Sequence, residues 1–235
     1  MRTLTWTASP ADEGRTVLSI LRRELSCSDA HISRLKRRET GILLNGVRRC
    51  VTARVSAGDV LAAEIGDLPD GHIVPMAYPL NVLYEDEDLL VIDKPAGISV
   101  HQSTRDPGEL TLENAVCHYL GGGVSPHPVS RLDRGTSGVM AFAKSGYVHE
   151  LLRRRMHTEA YARAYLGVAV GRVDPPSGAI ELPIGMAQGS TYRRAIRPDG
   201  KVARTEYETL AASERFTLLR LLPHTGRTHQ LRLHM

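Results

Sequence analysis

The chain has 235 residues, of which 42% are hydrophobic and 24% are charged, as in an ordinary globular protein with one sizeable domain and a smaller one. No run of about 18 apolar residues occurs, which excludes a membrane-spanning helix, and the N-terminus lacks the apolar segment of a signal peptide. Cys27, Cys50 and Cys117 are too scattered for a metal-binding pair and predict reduced thiols in a cytoplasmic protein.

Positive charge is concentrated near the N-terminus. The net charge is +4, but residues 15–54 contain ten Lys or Arg and three Asp or Glu. Only four of the 30 basic residues are lysine, and arginine has a planar fork that suits phosphates and stacks on bases. This distribution predicts a polyanion-binding module joined to a near-neutral body.

Two short helices are predicted in this basic region. Arg15–Leu25 has apolar residues at helical spacing. Ser28 or Asp29 can cap a second helix, and Gly41 is expected to end it. Cations crowd the second helix and follow the next turn, and they are the candidate polyanion contacts: Arg34, Lys36, Arg37, Arg38, Arg48 and Arg49.

Strand signals complete the module. Ile42–Val47 enters an Asn-Gly hairpin turn, and Val51–Val55 and Val60–Ile65 follow. In this order, residues 14–66 resemble the S4 RNA-binding domain, a small α+β domain. The resemblance implies RNA binding, and a solvated basic helix face is the alternative interpretation.

Residues 67–79 are rich in proline, glycine and aspartate and predict an interdomain linker, so the second domain is expected to span 80–235. Its predicted strands resemble antiparallel pairs, and helices lie between them. This arrangement predicts an α+β fold with a mixed, mainly antiparallel sheet. The predicted elements are paired strands around an acidic turn at Asn81–Asp93, a helix capped by Thr111, a helix Gly146–His157 capped by Ser145, a strand Tyr161–Val170, a mobile basic loop at 185–201, and paired strands Lys201–Leu210 and Arg215–Leu222.

The stretch Pro128–Lys144 is the strongest candidate for a catalytic segment. It places Asp133 between Arg131 and Arg134, and an apolar run, Val139–Ala143, then predicts a buried strand. A strand would fix the acid while the loop leaves it reachable. An ordinary surface ion pair is the alternative interpretation of these residues alone.

Two segments resemble motifs of the RluA-type pseudouridine synthases, the type that includes modifiers of large-subunit ribosomal RNA. They are Arg131-Leu132-Asp133-x-x-Thr136-Ser137-Gly138 and Thr225-Gly226-Arg227-Thr228-His229-Gln230-Leu231-Arg232-x-His234. Three further segments match in the family's order, namely Asp93-Lys94-Pro95-x-Gly97, Arg163-x-Tyr165 and Gly200-Lys201-x-Ala203-x-Thr205-x-Tyr207. The likeness covers residues 80–235 and implies the pseudouridine synthase fold with flanking helices.

The resemblance implies isomerisation of uridine to pseudouridine within RNA, without a metal or other cofactor. It makes Asp133 the catalytic carboxylate, which can hold the reactive fragment covalently while the base turns. Whether Asp133 attacks C1′, attacks the base or assists ribose deprotonation stays open. Arg232 matches the arginine that pairs with this acid and would favour its ionised form.

The remaining site roles also come from the resemblance. Arg131 would displace the target base from its stack, Tyr165 would pack on the uracil, and Leu231 would wall the pocket. Lys94 and Arg227 are expected to be structural or to face phosphate. The expected partner is RNA, with ribosomal RNA favoured by analogy and transfer RNA possible. No membrane and no obligatory protein partner are expected, and the chain is expected to be a monomer.

Two departures from the family pattern stand out. Ser130 occupies a position that usually holds His. The family domain usually continues past the Gln-Leu-Arg-x-His segment, whereas this chain stops at Met235, so a catalytic domain truncated at its C-terminus is expected. An incomplete sheet would expose an edge, which allows an alternative: an RNA-binding protein of the same ancestry that has lost catalysis.

Two other enzyme classes fit less well. His224, His229 and His234 recur every five residues, a spacing that puts neighbours on different faces of a strand or a helix and so disfavours a metal site. A retaining glycosidase needs two carboxylates about 5 Å apart, and only Asp133 lies in a convincing segment.

Overall fold

The computed structural model describes residues 2–67, 72–103, 106, 108–156, 158 and 161–235. The chain divides into two compact units, Met1–Arg154 and Arg155–Met235. The named strands pair antiparallel, and an isolated parallel bridge joins Ser99 to Thr111. The predicted α+β class with a mixed, mainly antiparallel sheet arrangement is therefore confirmed.

The first unit begins with a four-stranded sheet of order β1-β4-β2-β3 and two helices. Thr16 and Ser28 cap the helices by accepting hydrogen bonds from Ser19 N and His31 N, because each first turn leaves amides without helical partners. The elements are β1 (Thr3–Thr7), α1 (Val17–Arg23), α2 (Asp29–Leu35), β2 (Ile42–Leu44), β3 (Val47–Arg48) and β4 (Val60–Glu64).

The turn chemistry of this part is partly as predicted. Asn45 and Gly46 have φ of 53° and 76°, the left-handed values that a two-residue hairpin between β2 and β3 requires. The prediction for Gly41 was wrong, because α2 ends at Leu35. Gly41 is needed for close approach instead, since a Cβ there would overlap the Leu35 carbonyl oxygen. Val51–Val55 forms a turn with one bridge to Thr16 rather than a strand.

A second sheet of the same unit, with order β5-β6-β8-β7, positions the candidate catalytic loop. Its inner face is apolar, and Leu90, Ile92, Met140 and Phe142 are fully buried. The elements are β5 (Asn81–Glu85), β6 (Leu89–Lys94), α3 (Leu112–Tyr119, capped by Thr111), β7 (His127–Pro128), β8 (Gly138–Ala143) and α4 (Gly146–Arg155). The predicted end of α4 at His157 and residues 68–71 of the predicted linker lie outside the described residues.

Helix α4 is tied to the N-terminal elements at its first turn. The Tyr147 hydroxyl donates to the Leu25 carbonyl at 2.7 Å. Asp67 accepts hydrogen bonds from the Gly146 amide at 2.5 Å and from His127 Nε2 at 2.7 Å. Burial alone raises the pKa of Asp67, but these hydrogen bonds outweigh it and leave the pKa below its usual value. One carboxylate therefore caps α4 and holds β7.

The second unit contains a sheet of order β10-β13-β14-β9 and a separate hairpin, β11-β12. One face of β14 is buried through Thr217, Leu219 and Leu221. The elements are β9 (Tyr165–Val170), β10 (Ser177–Ile180), β11 (Ile184–Met186), β12 (Arg194–Ile196), β13 (Thr205–Ala212), β14 (Phe216–Pro223) and α5 (Gln230–His234). The paired strands β13 and β14 are as predicted.

The prediction of a loop at 185–201 was wrong. Ile184 pairs with Ile196 and Met186 with Arg194, which makes this segment a hairpin. Its glycines and arginines carry no strand alternation, so backbone pairing decided the outcome.

Among the described residues, no helix is both long and apolar enough to cross a membrane. The predicted domain ranges, 14–66, 67–79 and 80–235, stay predictions.

Replacing Asp67 by alanine is expected to lower the free energy of unfolding by about 2 kcal/mol at neutral pH, because the α4 cap and the His127 contact are lost. The folded pKa of Asp67 is depressed, so its contribution is present above the unfolded value of about 3.9 and disappears as pH falls through the folded pKa. Urea unfolding from pH 7 to pH 3 measures this difference between wild type and variant. The exposed Asp199→Ala is the control, and an equal loss in both variants would contradict the assigned role.

Candidate active site

Asp133 lies in the loop between β7 and β8. Leu132 beside it is buried, with 9% of its surface exposed, while Arg131 and Arg134 are exposed and Asp133 is half-buried. A buried leucine next to the acid anchors the backbone of the loop, while Asp133 itself keeps part of its surface exposed. The structure thus confirms the expectation of an acid at the mouth of a buried strand.

The loop is organised around the ammonium group of Lys94, the last residue of β6. Leu90, Ile92 and Lys94 share one face of the strand, and all three are 0% exposed. Lys94 Nζ donates to the carbonyl oxygens of Thr136 at 2.8 Å, Pro95 at 2.9 Å, Arg134 at 3.2 Å and Asp133 at 3.3 Å. We refer to this ammonium and its four carbonyls as the Lys94 cluster.

The cluster explains how a lysine can be buried here. Removal from water penalises a charged ammonium, and burial indeed lowers the pKa of Lys94, while the negative charge of Asp133 acts in the opposite direction. Four carbonyl dipoles replace the lost water, and three of them belong to the Asp133 loop. The loop backbone must therefore close around the ammonium, which makes Lys94 structural rather than phosphate-facing.

Further contacts join the loop to the segment after β6. Gly97 N donates to the Arg134 carbonyl at 2.7 Å, and φ at Gly97 is 97°, a conformation that favours glycine. The Arg134 side chain forms an ion pair with Glu109 and donates to Ser99 Oγ at 3.1 Å. The Asp93-Lys94-Pro95-x-Gly97 segment thus supports the Asp133 loop directly.

The second unit carries the other predicted site residues. Tyr165 begins β9 and pairs with Leu221 of β14. A Cβ added to Gly226 would lie 3.1 Å from Arg163 Nη1, so the basic-x-Tyr segment lies against the final motif. Leu231 and Arg232 lie on α5, where Leu231 is half-buried and Arg232 is exposed. Arg131 and Asp133 belong to the first unit, and the pairing of Arg232 with Asp133 stays a prediction.

The candidate RNA contacts of the N-terminal module fall into two groups. Lys36, Arg37, Arg48 and Arg49 are exposed, and Arg48 donates to the Lys36 carbonyl at 2.9 Å, which draws two of the cations together.

Arg34 is exposed as well, whereas Arg38 is only partly exposed. Arg38 is 13% exposed and donates to the Gly66 carbonyl at 2.7 Å and to Glu64 at 3.3 Å. Arg34 lies 3.4 Å from His31 Nδ1. The contacts of Arg38 with Gly66 and Glu64 indicate that it stabilises the module.

The three regularly spaced histidines do not converge. His234 is buried and bonded to Thr205 and to the Leu182 carbonyl, whereas His224 is exposed and contacts Glu206 at 3.1 Å. Within the described parts of the chain, no group of three or more His, Cys, Asp or Glu is arranged to hold a metal ion.

Residues 88–235 match the family model described as RNA pseudouridylate synthase. This chain belongs to the RNA pseudouridine synthase family. Its members isomerise uridine to pseudouridine in RNA, and the chain is an isomerase of this kind. The matched range includes the Asp133 loop and α5.

Named relatives agree with this assignment. The chain is 30% identical over 234 residues to the uncharacterised RNA pseudouridine synthase YhcT of Bacillus subtilis, covering 95% of this chain and 75% of that protein. It is 34% identical over 186 residues to ribosomal large subunit pseudouridine synthase D of Yersinia pestis, covering 77% and 56%. The solved structure of human RNA pseudouridylate synthase domain containing 4 is similar over 66% of this chain and 62% of that one, with a TM-score of 0.53 and 28% identity.

The burial of Lys94 could have been predicted from its position in the strand. A lysine two residues after Ile92 and four after Leu90 falls on the buried face of a strand, where an unpartnered charge is costly. That position alone predicts that carbonyl or carboxylate oxygens surround the ammonium group.

Replacing Lys94 by methionine is expected to lower the free energy of unfolding by about 3 kcal/mol, because the carbonyls of Thr136, Arg134 and Asp133 lose their shared donor inside the protein. Lys144→Met is the matched control, since Lys144 pairs with Glu85 near the surface and its loss should cost less than about 1 kcal/mol. Urea unfolding compares the two variants. Equal costs would show that the Lys94 cluster does not hold the loop.

Proposed function

We propose that this chain converts uridine to pseudouridine in ribosomal RNA, with Asp133 as the catalytic carboxylate. The supporting observation is the Asp133 loop itself, whose half-buried acid is fixed by a buried ammonium through backbone carbonyls. The similarity to a protein named for the ribosomal large subunit supports the choice of RNA.

The reaction explains why the acid must be both fixed and accessible. The N1–C1′ bond breaks, the uracil rotates, and C5 joins C1′, so a carboxylate that retains the reactive fragment keeps it in place during rotation. Attack on C1′, attack on the base and assistance in ribose deprotonation all need an ionised Asp133 within contact of the nucleoside. The Lys94 cluster fixes the backbone on which that carboxylate is carried.

Other residues receive roles around the acid. Arg131 is exposed in the same loop and takes the space that the target base leaves when it is extruded. Tyr165 packs on the uracil, Leu231 walls the pocket, and Arg232 stabilises the carboxylate charge. No cofactor or metal takes part, because carboxylate chemistry suffices for an isomerisation that exchanges one bond to C1′ for another.

The N-terminal residues 14–66 act as an S4-like RNA-binding module, followed by a linker at 67–79 and the catalytic domain from 80. The α1–α2 pair and the β2–β3 hairpin support this assignment, and so do the exposed cations beside them. RNA contact runs through Arg34, Lys36, Arg37, Arg48 and Arg49, while Arg38 stabilises the module. The chain works as a monomer without an obligatory protein partner.

Asp133→Asn is expected to reduce the rate of tritium release from 5-³H-uridine RNA by at least about a thousandfold, while RNA affinity stays within about threefold. Tritium leaves because C5 exchanges its hydrogen for the bond to C1′. Asp199→Asn, an exposed carboxylate of the second unit, is the control. RNA binding by wild type without release would favour the non-catalytic alternative, and release that survives in Asp133→Asn would contradict the catalytic assignment.

The double substitution Lys36→Gln and Arg37→Gln is expected to weaken RNA binding about tenfold at low salt and to reduce the slope of log affinity against log salt by about one to two, because two phosphate contacts are lost. Arg38→Gln should lower stability and leave the salt slope unchanged. Filter binding over a salt series measures both quantities. An unchanged slope in the double variant would remove these two residues from the RNA interface.

A further inference from the structure

A chain of buried polar side chains joins α5 to β13 in the second unit. Thr205 is 0% exposed, Gln230 is 4% exposed and His234 is 9% exposed. Gln230 and His234 belong to the final sequence motif, yet the proposed chemistry uses Leu231 and Arg232 of the same helix and none of these three. Buried polar groups are costly unless they are paired, so their arrangement calls for a physical reason.

The orientation of the Gln230 amide follows from its backbone partners. The Arg227 amide can only donate, so the atom 3.0 Å from it is Oε1, and the Arg204 carbonyl can only accept, so the atom 2.9 Å from it is Nε2. Oε1 also accepts from the Thr225 hydroxyl at 2.8 Å, and Nε2 also donates to Thr205 Oγ1 at 2.9 Å. All four hydrogen-bonding positions of the amide are used.

The same reasoning fixes the proton on His234. The Leu182 carbonyl lies 3.0 Å from Nε2 and needs a donor, so a neutral ring has its proton on Nε2. Nδ1 then accepts the Thr205 hydroxyl proton at 2.9 Å, since Thr205 Oγ1 already receives the Gln230 proton. Each group therefore donates a hydrogen bond to the next one in a single direction, from Thr225 to Gln230, Thr205, His234 and finally the Leu182 carbonyl.

This directed chain stabilises a helix that is too short to persist alone. Helix α5 has five residues, and it follows His229 in the left-handed conformation, with φ of 57°. Gln230 and His234 are one turn apart, so they share a face of the helix, and both are fixed to Thr205 of β13. These hydrogen bonds therefore fix the rotation of α5 about its axis, and with it the directions of Leu231 and Arg232.

We propose that Thr205 is a positioning residue whose hydroxyl, by joining Gln230 to His234, sets the rotation of α5 and the direction of Arg232 and Leu231. This inference rests on the proposed function, in which those two side chains contact the nucleoside. A hydroxyl that acts on the geometry of the reacting complex affects turnover more than RNA binding, since most RNA affinity comes from phosphate contacts elsewhere.

The test compares Thr205→Val, which keeps the shape and removes the hydroxyl, with Thr205→Ser, which keeps the hydroxyl. Thr205→Val should lower kcat for tritium release about 30-fold and leave KM within about twofold, and Thr205→Ser should restore kcat to within about threefold of wild type. Thr217→Val is the matched control, because Thr217 is also 0% exposed, donates to the Gly171 carbonyl at 2.7 Å, and lies in the same sheet on β14. It should keep the wild-type kcat.

Equal kcat in Thr205→Val and Thr217→Val, or no rescue by serine, would overturn the proposal. Nitrogen-15 NMR of the wild-type protein supplies a second readout that needs no variant to fold. A His234 proton on Nε2 supports the directed chain, and a proton on Nδ1 contradicts it. If wild type released no tritium, the proposed function would fail, while the NMR result would still decide whether the chain of hydrogen bonds exists.

Discussion

The geometry of the candidate active site depends on one buried charge, the Lys94 ammonium. It lies at the end of β6 on the core side of the sheet, where water is absent, and carbonyl oxygens from two segments surround it. Because the charge must be solvated, the backbone from Asp133 to Thr136 is held against the end of β6. Asp133, which this backbone carries, is itself half-buried.

The two units share a principle of construction. In each, fully paired buried polar groups fix a short segment whose side chains are proposed to contact the nucleoside. Lys94 does this for the Asp133 loop, and the Gln230–Thr205–His234 chain does it for α5. Loops and five-residue helices have little stability of their own, so precise placement has to come from such buried pairing. The motif residues therefore divide into the proposed substrate contacts and the residues that hold these contacts in place.

Much of the local structure could be predicted because its signals are local. An acidic turn between two strand-like runs predicted β5 and β6, and the apolar run Val139–Ala143 predicted β8. Thr111, Ser28 and Asn45-Gly46 predicted two helix starts and a hairpin. Features set by distant backbone were missed. The β11–β12 hairpin lacks alternation, and the reason for glycine at 41 is the nearby Leu35 carbonyl. The convergence of Asp133, Arg134 and Thr136 on Lys94 depends on the register that pairs Lys94 with Gly138, which no local pattern encodes.

We propose that the Asp133 loop, held by the Lys94 cluster, modifies uridines of ribosomal RNA. The most direct measurement is chemical mapping of pseudouridine in total RNA from cells that lack this protein, re-expressing either wild type or Asp133→Asn. We expect particular pseudouridines of large-subunit ribosomal RNA to disappear without the protein and to return with wild type alone. An unchanged ribosomal RNA map, or full restoration by Asp133→Asn, would contradict it.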